Sequence, residues 1–386
     1  SQPLPSIRFE ISQLPSREQV IQTIVCDIAL AERLAREAKH VTMKVLYLTP
    51  WYPSERDAMA GLFVQKHVEA VQAQGVDVRV IHSEGWADLH RQWRQLKREW
   101  GLPDVVQLNV IQKQGALALW LKRRYNIPYI IIEHWSGYLP ENGQFMQMPA
   151  TKQQFVRSVC RQASIVLTVS LPLQRAMQHC GLKAQQWGKI DNVVDEFFYQ
   201  KSEVRIQNSD KKILLHVSCF DERAKNMKGL LRAAKIVADK RQGWQLVLVG
   251  TGIDYDEVRA YAQTLNFPEE LLLWTGELTP QEVAEWMHKA DAFVLSSRFE
   301  TYGVVLAEAA AVGVTIISTP VGIAEEVDAC IVEQDEVENH PEQFADKIEH
   351  VLFANRQPAT DTANMQRFTS QTVGKQLREI YESVRL

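Results

Sequence analysis

The feature that most constrains the fold of this chain is a regular alternation of short aliphatic runs with helical stretches, interrupted once and then resumed. Met43–Thr49, Val76–Ile81, Val105–Val110, Tyr129–Glu133 and Ile165–Ser170 are short, rich in β-branched and aliphatic residues, and bounded by turn signals such as Pro50 and Pro53-Ser54. Runs of this kind read as strands buried on both faces. Helical patterns fill the intervals, as over Leu62–Gln74 with Gly75 as its stop. Strand and helix in repetition predict a doubly wound parallel sheet.

The pattern restarts after a polar stretch, Tyr199–Lys211, the natural linker. Lys212–Ser218, Gln245–Gly250, Leu271–Thr275, Ala292–Ser296 and Val314–Ser318 read as strands. Met227–Lys240, Asp254–Leu265, Thr279–Ala290 and Gly303–Val312 read as helices. The expected fold class is therefore α/β, with two Rossmann-like doubly wound domains over residues 43–198 and 199–369. A last helix over 370–386 is expected to pack back on the first domain. A length of 386 residues suits two domains at roughly 100–200 residues each.

Residues 1–42 stand apart as an N-terminal extension. It reads as helical over Ser16–Lys39, with Ser16 as cap and apolar residues at Val20, Ile21, Ile24, Val25, Ile28 and Leu34. A net charge of −4 gives no support for nucleic-acid binding. Five cysteines, with no C-x-x-C pair, argue against a disulfide framework or a zinc site and fit a reducing cytosol. No apolar run is long enough to span a membrane, and the N-terminus lacks the basic-then-apolar order of a secretory signal. A cytoplasmic location is expected.

The chemistry concentrates after the strand Ala292–Ser297. A loop, Arg298–Tyr302, leads through Gly303 into the Ala-rich helix Val304–Ala311. First-turn N–H groups of a helix have no internal partners and carry partial positive charge, so a diphosphate would bind there. Gly303 would let phosphate approach the backbone without a Cβ in the way. Glu300 on the loop and Glu308 in the helix could each accept paired hydroxyls, one from a sugar and one from a ribose. The plainer alternative is a Glu on the helix dipole and an exposed mid-helix Glu.

The run S-S-R-F-E-T-Y-G-V-V-L-A-E-A-A-A-V-G resembles the E-x7-E signature of retaining family-four glycosyltransferases of the GT-B fold. Ser318–Gly322 and V-L-V-G-T-G over 247–252 also match that family, and the resemblance covers about residues 43–386. It implies two facing domains, the first binding acceptor and the second binding a nucleotide sugar. Glu300 is then expected at the donor sugar and Glu308 at the ribose, with the backbone of Tyr302, Gly303, Val304 and Val305 on phosphate.

V-S-C-F-D-E-R-A-K-N-M-K-G-L over 217–230 resembles the family's diphosphate grip. Lys225 takes the position of its Lys, and an electrostatic role on the leaving diphosphate follows. Cys219 stands where the family has an Arg, and Arg223 or Lys228 is a candidate replacement; the alternative for those two is a solvated basic loop. I-I-I-E-H-W-S-G-Y over 130–138 resembles the family's acceptor-domain element and makes His134 the candidate to hydrogen-bond the sugar. Gly61 matches a small-residue loop approaching the diphosphate from the acceptor domain. Gly250, in the V-G-T-G turn, and Glu277 and Leu278, beside the base, complete the expected donor contacts. No protein nucleophile is assigned.

Asp254-Tyr255-Asp256 has the D-x-D form of a metal-diphosphate motif, but helix capping explains it, and no metal or other cofactor is expected. Leu89, Trp93, Leu96 and Trp100 share a helical face opposite Arg91, Arg94, Lys97 and Arg98. Such a helix over 89–100 could rest on an anionic membrane carrying a lipid-linked acceptor, or pack on its own domain. The expected activity is transfer of a sugar from a UDP- or GDP-sugar to a glycan or lipid-linked saccharide. A nucleotide-sugar epimerase or sugar phosphorylase of the same fold, and a non-catalytic nucleotide-sugar-binding scaffold subunit favoured by Cys219, are the alternatives.

Overall fold

The computed structural model describes residues 42–55, 57, 60–83, 85–200, 211–353 and 366–385. The helix expected over Ser16–Lys39 and most of the expected linker lie outside these residues.

The first sheet has six parallel strands: β1 (Lys44–Thr49), β2 (Asp77–His82), β3 (Val105–Asn109), β4 (Tyr129–Glu133), β5 (Ile165–Thr168) and β6 (Trp187–Lys189). They lie in the order β2-β1-β3-β4-β5-β6. Every residue of β3 and β4 is buried, and the two polar side chains of β3 meet each other, Gln107 donating to Asn109 at 3.0 Å. The longer helices around this sheet are α1 (Leu62–Gln72), α2 (Trp86–Trp100), α3 (Gln114–Tyr125), α4 (Ala150–Gln162) and α5 (Leu171–His179).

The second sheet repeats the plan with β7 (Lys212–Val217), β8 (Trp244–Val249), β9 (Leu272–Gly276), β10 (Ala292–Leu295), β11 (Thr315–Ser318) and β12 (Cys330–Ile331). Its order is β12-β11-β10-β7-β8-β9, again parallel throughout. Its longer helices are α6 (Met227–Lys240), α7 (Tyr255–Thr264), α8 (Pro280–Lys289), α9 (Val304–Val312) and α10 (Pro341–Phe353). Leu214, Leu246, Leu248, Val294 and Ile317 from the sheet meet Met227, Leu230, Phe344 and Ile348 from the helices in one core. Strand order reverses between β7 and β10, and a crevice opens at such a switch point beyond the carboxyl ends of the strands.

The chain finally returns to the first sheet as α11 (Ser370–Val384). A Cβ on Gly374 would lie 2.3 Å from the Ala70 carbonyl oxygen, so only glycine lets α11 approach α1 this closely. The Tyr381 and Tyr47 hydroxyls, both buried, are 2.7 Å apart, and the Tyr381 hydroxyl also donates to Gln107.

Helix α2 packs on its own domain, one of its two expected placements. Leu89 and Trp93 are buried in their own domain, and the Trp100 indole donates to Asp77 at 2.6 Å. Half of the apolar face thus turns into the domain, while Leu96 and Trp100 stay half-buried.

Candidate active site

The site lies at the switch point of the second sheet. Lys225 ends the short helix that follows β7, and Glu300 sits on the loop that follows β10. The Lys225 ammonium donates to Glu300 at 2.5 Å, and the Ser297 hydroxyl donates to the same oxygen at 2.8 Å. Burial alone would pull the Lys225 ammonium down; the Glu300 carboxylate beside it holds it above its ordinary range. Two residues 75 apart in sequence therefore form a charged pair with little solvent access. Arg298 braces their loops, its backbone N–H bound to the Ala224 carbonyl at 2.7 Å and its guanidinium to the Glu222 carbonyl and Glu338.

Gly303 precedes α9 with φ of 77°, and no side chain caps the helix. Its Leu306 amide turns back to the Gly303 carbonyl at 2.9 Å, and the earlier amides of a helix start have no helical partner. Gly322 fits beneath this turn, where a Cβ would lie 2.2 Å from the Tyr302 carbonyl oxygen. That carbonyl accepts the Ile323 N–H at 3.0 Å. Glu308 lies one turn further along α9. Burial pushes its carboxyl up to about 7, the Lys66 ammonium of α1 draws it down, and Asp195 opposes Lys66.

Other expected donor contacts are placed differently. The Arg223 guanidinium stacks over the Phe299 ring and donates to Asn142 of the first domain at 3.0 Å. Lys228 turns to Glu257 on α7 and does not join the Lys225–Glu300 pair. Gly250, with φ of 120°, has the Ser218 carbonyl where its Cβ would stand, 1.9 Å away, so this glycine lets two chain segments cross. Glu277 and Leu278 follow β9, with Glu277 exposed. Cys219 is a free, exposed thiol.

The Asp254 side chain does not cap α7, contrary to expectation; it accepts the Glu222 N–H at 2.8 Å and ties α7 to the Lys225 loop. Among the described residues no cluster of three His, Cys, Asp or Glu side chains could hold a metal ion.

On the first domain, His134 follows β4. Its ring lies 4.1 Å from that of Phe63 and 6.2 Å from that of His67, and its buried Nε2 has no partner. Burial, reinforced by His67, holds its pKa well below the ordinary histidine range, so it is a neutral imidazole at pH 7. Glu133 fixes this loop. Its buried carboxylate accepts the N–H groups of His134, Trp135 and Ile111 at 2.9, 3.0 and 3.1 Å, and Tyr138 also donates to it. Ile111 follows Val110, whose φ of 61° is a strained conformation for a β-branched residue. Gly61, with φ of 68°, caps α1; a Cβ there would lie 2.4 Å from the Trp51 carbonyl.

The two domains touch at this site. The Ser170 hydroxyl donates to the Thr301 carbonyl, and the Tyr302 hydroxyl donates to Asp191 at 3.3 Å. His67 shares its Nε2 with the Asp191 carbonyl at 3.1 Å, linking His134's neighbour to the residue that meets Tyr302. Sequence reasoning missed Ser170, Asp191 and Asn142. The one signal for Asp191 is a polar pair inside the apolar run I-D-N-V-V, residues 190–194.

The family model for glycosyltransferase family 4 matches residues 28–196, and that for glycosyl transferases group 1 matches residues 211–353. Among curated relatives, the α-monoglucosyldiacylglycerol synthase of Streptococcus pneumoniae is 23% identical over 55% of this chain and 52% of its own length. The N-acetyl-α-D-glucosaminyl L-malate synthase of Bacillus anthracis is 31% identical over 45% of this chain and 45% of its own. The chain thus spans about half the length of these relatives. Anabaena HepE, solved in complex with UDP, superposes with a TM-score of 0.70 at 18% identity, over 88% of this chain and 100% of that one. This likeness shows the fold, two parallel six-stranded α/β units arranged as in GT-B glycosyltransferases. Matched in order over 28–196 and 211–353, the chain is similar to glycosyltransferases in both of its domains.

Proposed function

We propose that this chain is a retaining hexosyltransferase that moves a sugar from a UDP- or GDP-sugar to a glycan or lipid-linked saccharide acceptor, in the making of a polysaccharide or glycolipid. The observation that carries the reading is the Lys225–Glu300 pair beside the uncapped N-terminus of α9. A fixed cation and free amides suit a diphosphate, and a carboxylate next to them suits sugar hydroxyls.

In this reading the C1–O bond to the diphosphate breaks while the acceptor oxygen bonds to C1 on the same face. The acceptor's proton passes to the leaving phosphate oxygen. Lys225 and the amides of Gly303, Val304 and Val305 stabilise the charge that builds on that phosphate. Glu308 takes the ribose hydroxyls. His134, neutral and with Nε2 unpaired, hydrogen-bonds the sugar and does not remove a proton. Positive charge at the leaving group comes from Lys225 and the helix end, so we assign no metal.

The test is calorimetry with a panel of UDP- and GDP-sugars, followed by turnover with saccharide acceptors. One nucleotide sugar should bind, and Lys225→Ala should weaken it. Binding by none of them would overturn the reading. Binding with turnover that needs no acceptor would indicate an epimerase, and dependence on free phosphate would indicate a phosphorylase. Binding without any turnover would leave a scaffold.

A lipid-linked acceptor is supported by one surface. Trp120 is 44% exposed and lies edge-on to Trp93 and Tyr125, while Lys97 and Arg124 sit over the Tyr125 ring. An aromatic tip among cations suits an anionic membrane surface. Flotation on anionic vesicles should be lost in the Trp120→Ala, Lys97→Ala double variant; unchanged flotation would remove the membrane from this proposal.

A further inference from the structure

Four chain segments converge on Asp191, which is buried just beyond the end of β6. Arg367, on the segment returning to α11, donates to its carboxylate through Nε at 3.0 Å and Nη2 at 2.9 Å. Lys189 donates at 2.8 Å, and the Tyr302 hydroxyl at 3.3 Å. Lys189 and Arg367 also share Glu326 of the second domain, at 2.7 and 2.9 Å. The result is two carboxylates and two cations in a largely enclosed junction, with one phenol hydrogen-bonded to the buried carboxylate.

Such a cluster is a poor source of stability. Removing charges from water costs several kcal/mol per ion, and apolar packing often does as well. What a buried network does supply is a defined arrangement, because each group has few ways to be satisfied. Here the arrangement reaches into the donor site. Tyr302 contributes its backbone to the turn before α9, and its side chain reaches from that turn to Asp191 of the other domain. Ser170 of the first domain holds the preceding carbonyl, Thr301. Both contacts cross between domains, and both bear on the two residues that precede Gly303.

We propose that Asp191 is a positioning residue: through the Tyr302 hydroxyl it sets, from the acceptor domain, the place of the turn that grips the donor's diphosphate. This rests on the donor-site reading above. Domain registration and diphosphate affinity are then one property, and a change that loosens the junction weakens donor binding without touching the phosphate contacts themselves.

The test compares Tyr302→Phe, which removes one oxygen and keeps the buried ring, with Asp191→Asn and the double variant. UDP and GDP are the calorimetric probes, and thermal melting reports the fold. Each single variant should weaken binding of the preferred nucleotide about tenfold, the usual scale for a hydrogen bond to a charged group. The double variant should be no weaker than the worse single one, since both break the same link. Donor KM should rise in step, with acceptor KM unchanged. Affinities within twofold of the parent in folded variants, or losses that simply add, would overturn the proposal. If Asp191→Asn does not fold, Tyr302→Phe alone decides by the same affinity criterion. A parent that binds neither UDP nor GDP would overturn the donor-site reading itself, whereas parent binding with unaffected variants overturns only the role of Asp191.

Discussion

The two domains share one plan but meet a ligand by different means. The second presents charge: Lys225 and Glu300 on loops after β7 and β10, beside a helix end without a cap. The first presents neutral, buried groups: a histidine stacked on Phe63, held by a carboxylate whose acceptor sites are taken by three amides and a phenol. Burial raises the pKa of that carboxylate, Glu133, and those donors pull it back. A diphosphate needs fixed positive charge, while a saccharide needs shape and hydrogen bonds. The same strand-end crevice serves both because only the loops differ.

The largest effect expected from this contrast lies on the charged side. Lys225→Ala and Glu300→Ala should each lower kcat by about 10²–10³-fold, the scale for losing one preorganised electrostatic group. Steady-state rates at saturating donor measure it. A loss below tenfold in both would place the decisive electrostatics elsewhere.

In one respect the halves should behave alike. His67 in the first domain and His216 in the second are each held neutral by burial, with pKa values lowered to about 4. The unfolded chain takes up protons first as pH falls, so stability is complete above about 6.5 and is lost toward about 4. Each should contribute roughly 3 kcal/mol of that loss, at about 1.4 kcal/mol per unit. Urea unfolding at pH 7 and pH 4 would show it, and His216→Gln should remove its share. A pH-independent midpoint would refute it.

A smaller effect separates the carboxylates. Burial pushes the Glu308 carboxyl up to about 7, and in the proposed reading its charged form would accept two ribose hydroxyls. Nucleotide affinity should rise several-fold from pH 6 to pH 8, and Glu308→Gln should flatten that rise to what the ligand's own phosphate contributes. Its effect on folding has the opposite sign to that of the histidines. A raised carboxyl pKa favours the fold at low pH, and that share is lost as pH climbs through about 7.

The smallest is at His134. His134→Ala should lower kcat/KM roughly fivefold to tenfold, the value of one neutral hydrogen bond, with no change in the shape of the pH profile between 6 and 8. A new or lost ionisation in that range would make His134 a proton carrier and break the contrast between the halves.

Much of this was legible along the chain, because the signals are local. A strand buried on both faces is mostly apolar, so β4 and β10 could be read directly. Gly303 and the Ala-rich run after it announced a helix start fit for phosphate. The E-x7-E run and Lys225 marked the two loops that the structure brings together through the Lys225–Glu300 pair. Asp254 was misread because capping is the local option for such a residue, and the Glu222 amide that it accepts comes from another strand's loop. The apolar face of α2 was legible as a pattern, but what covers it was not.

The sequence by itself thus determined the two sheets and the place of their loops, since periodicity and turn chemistry act between near neighbours. Tertiary structure alone decided the partners: that Lys225 meets Glu300 at the switch point, that Lys228 turns to Glu257, and that Asp191 holds Tyr302 across the domain junction. Those contacts join residues 75, 29 and 111 positions apart. Their geometry follows from how the strands are ordered and how the two domains meet, which no local pattern encodes.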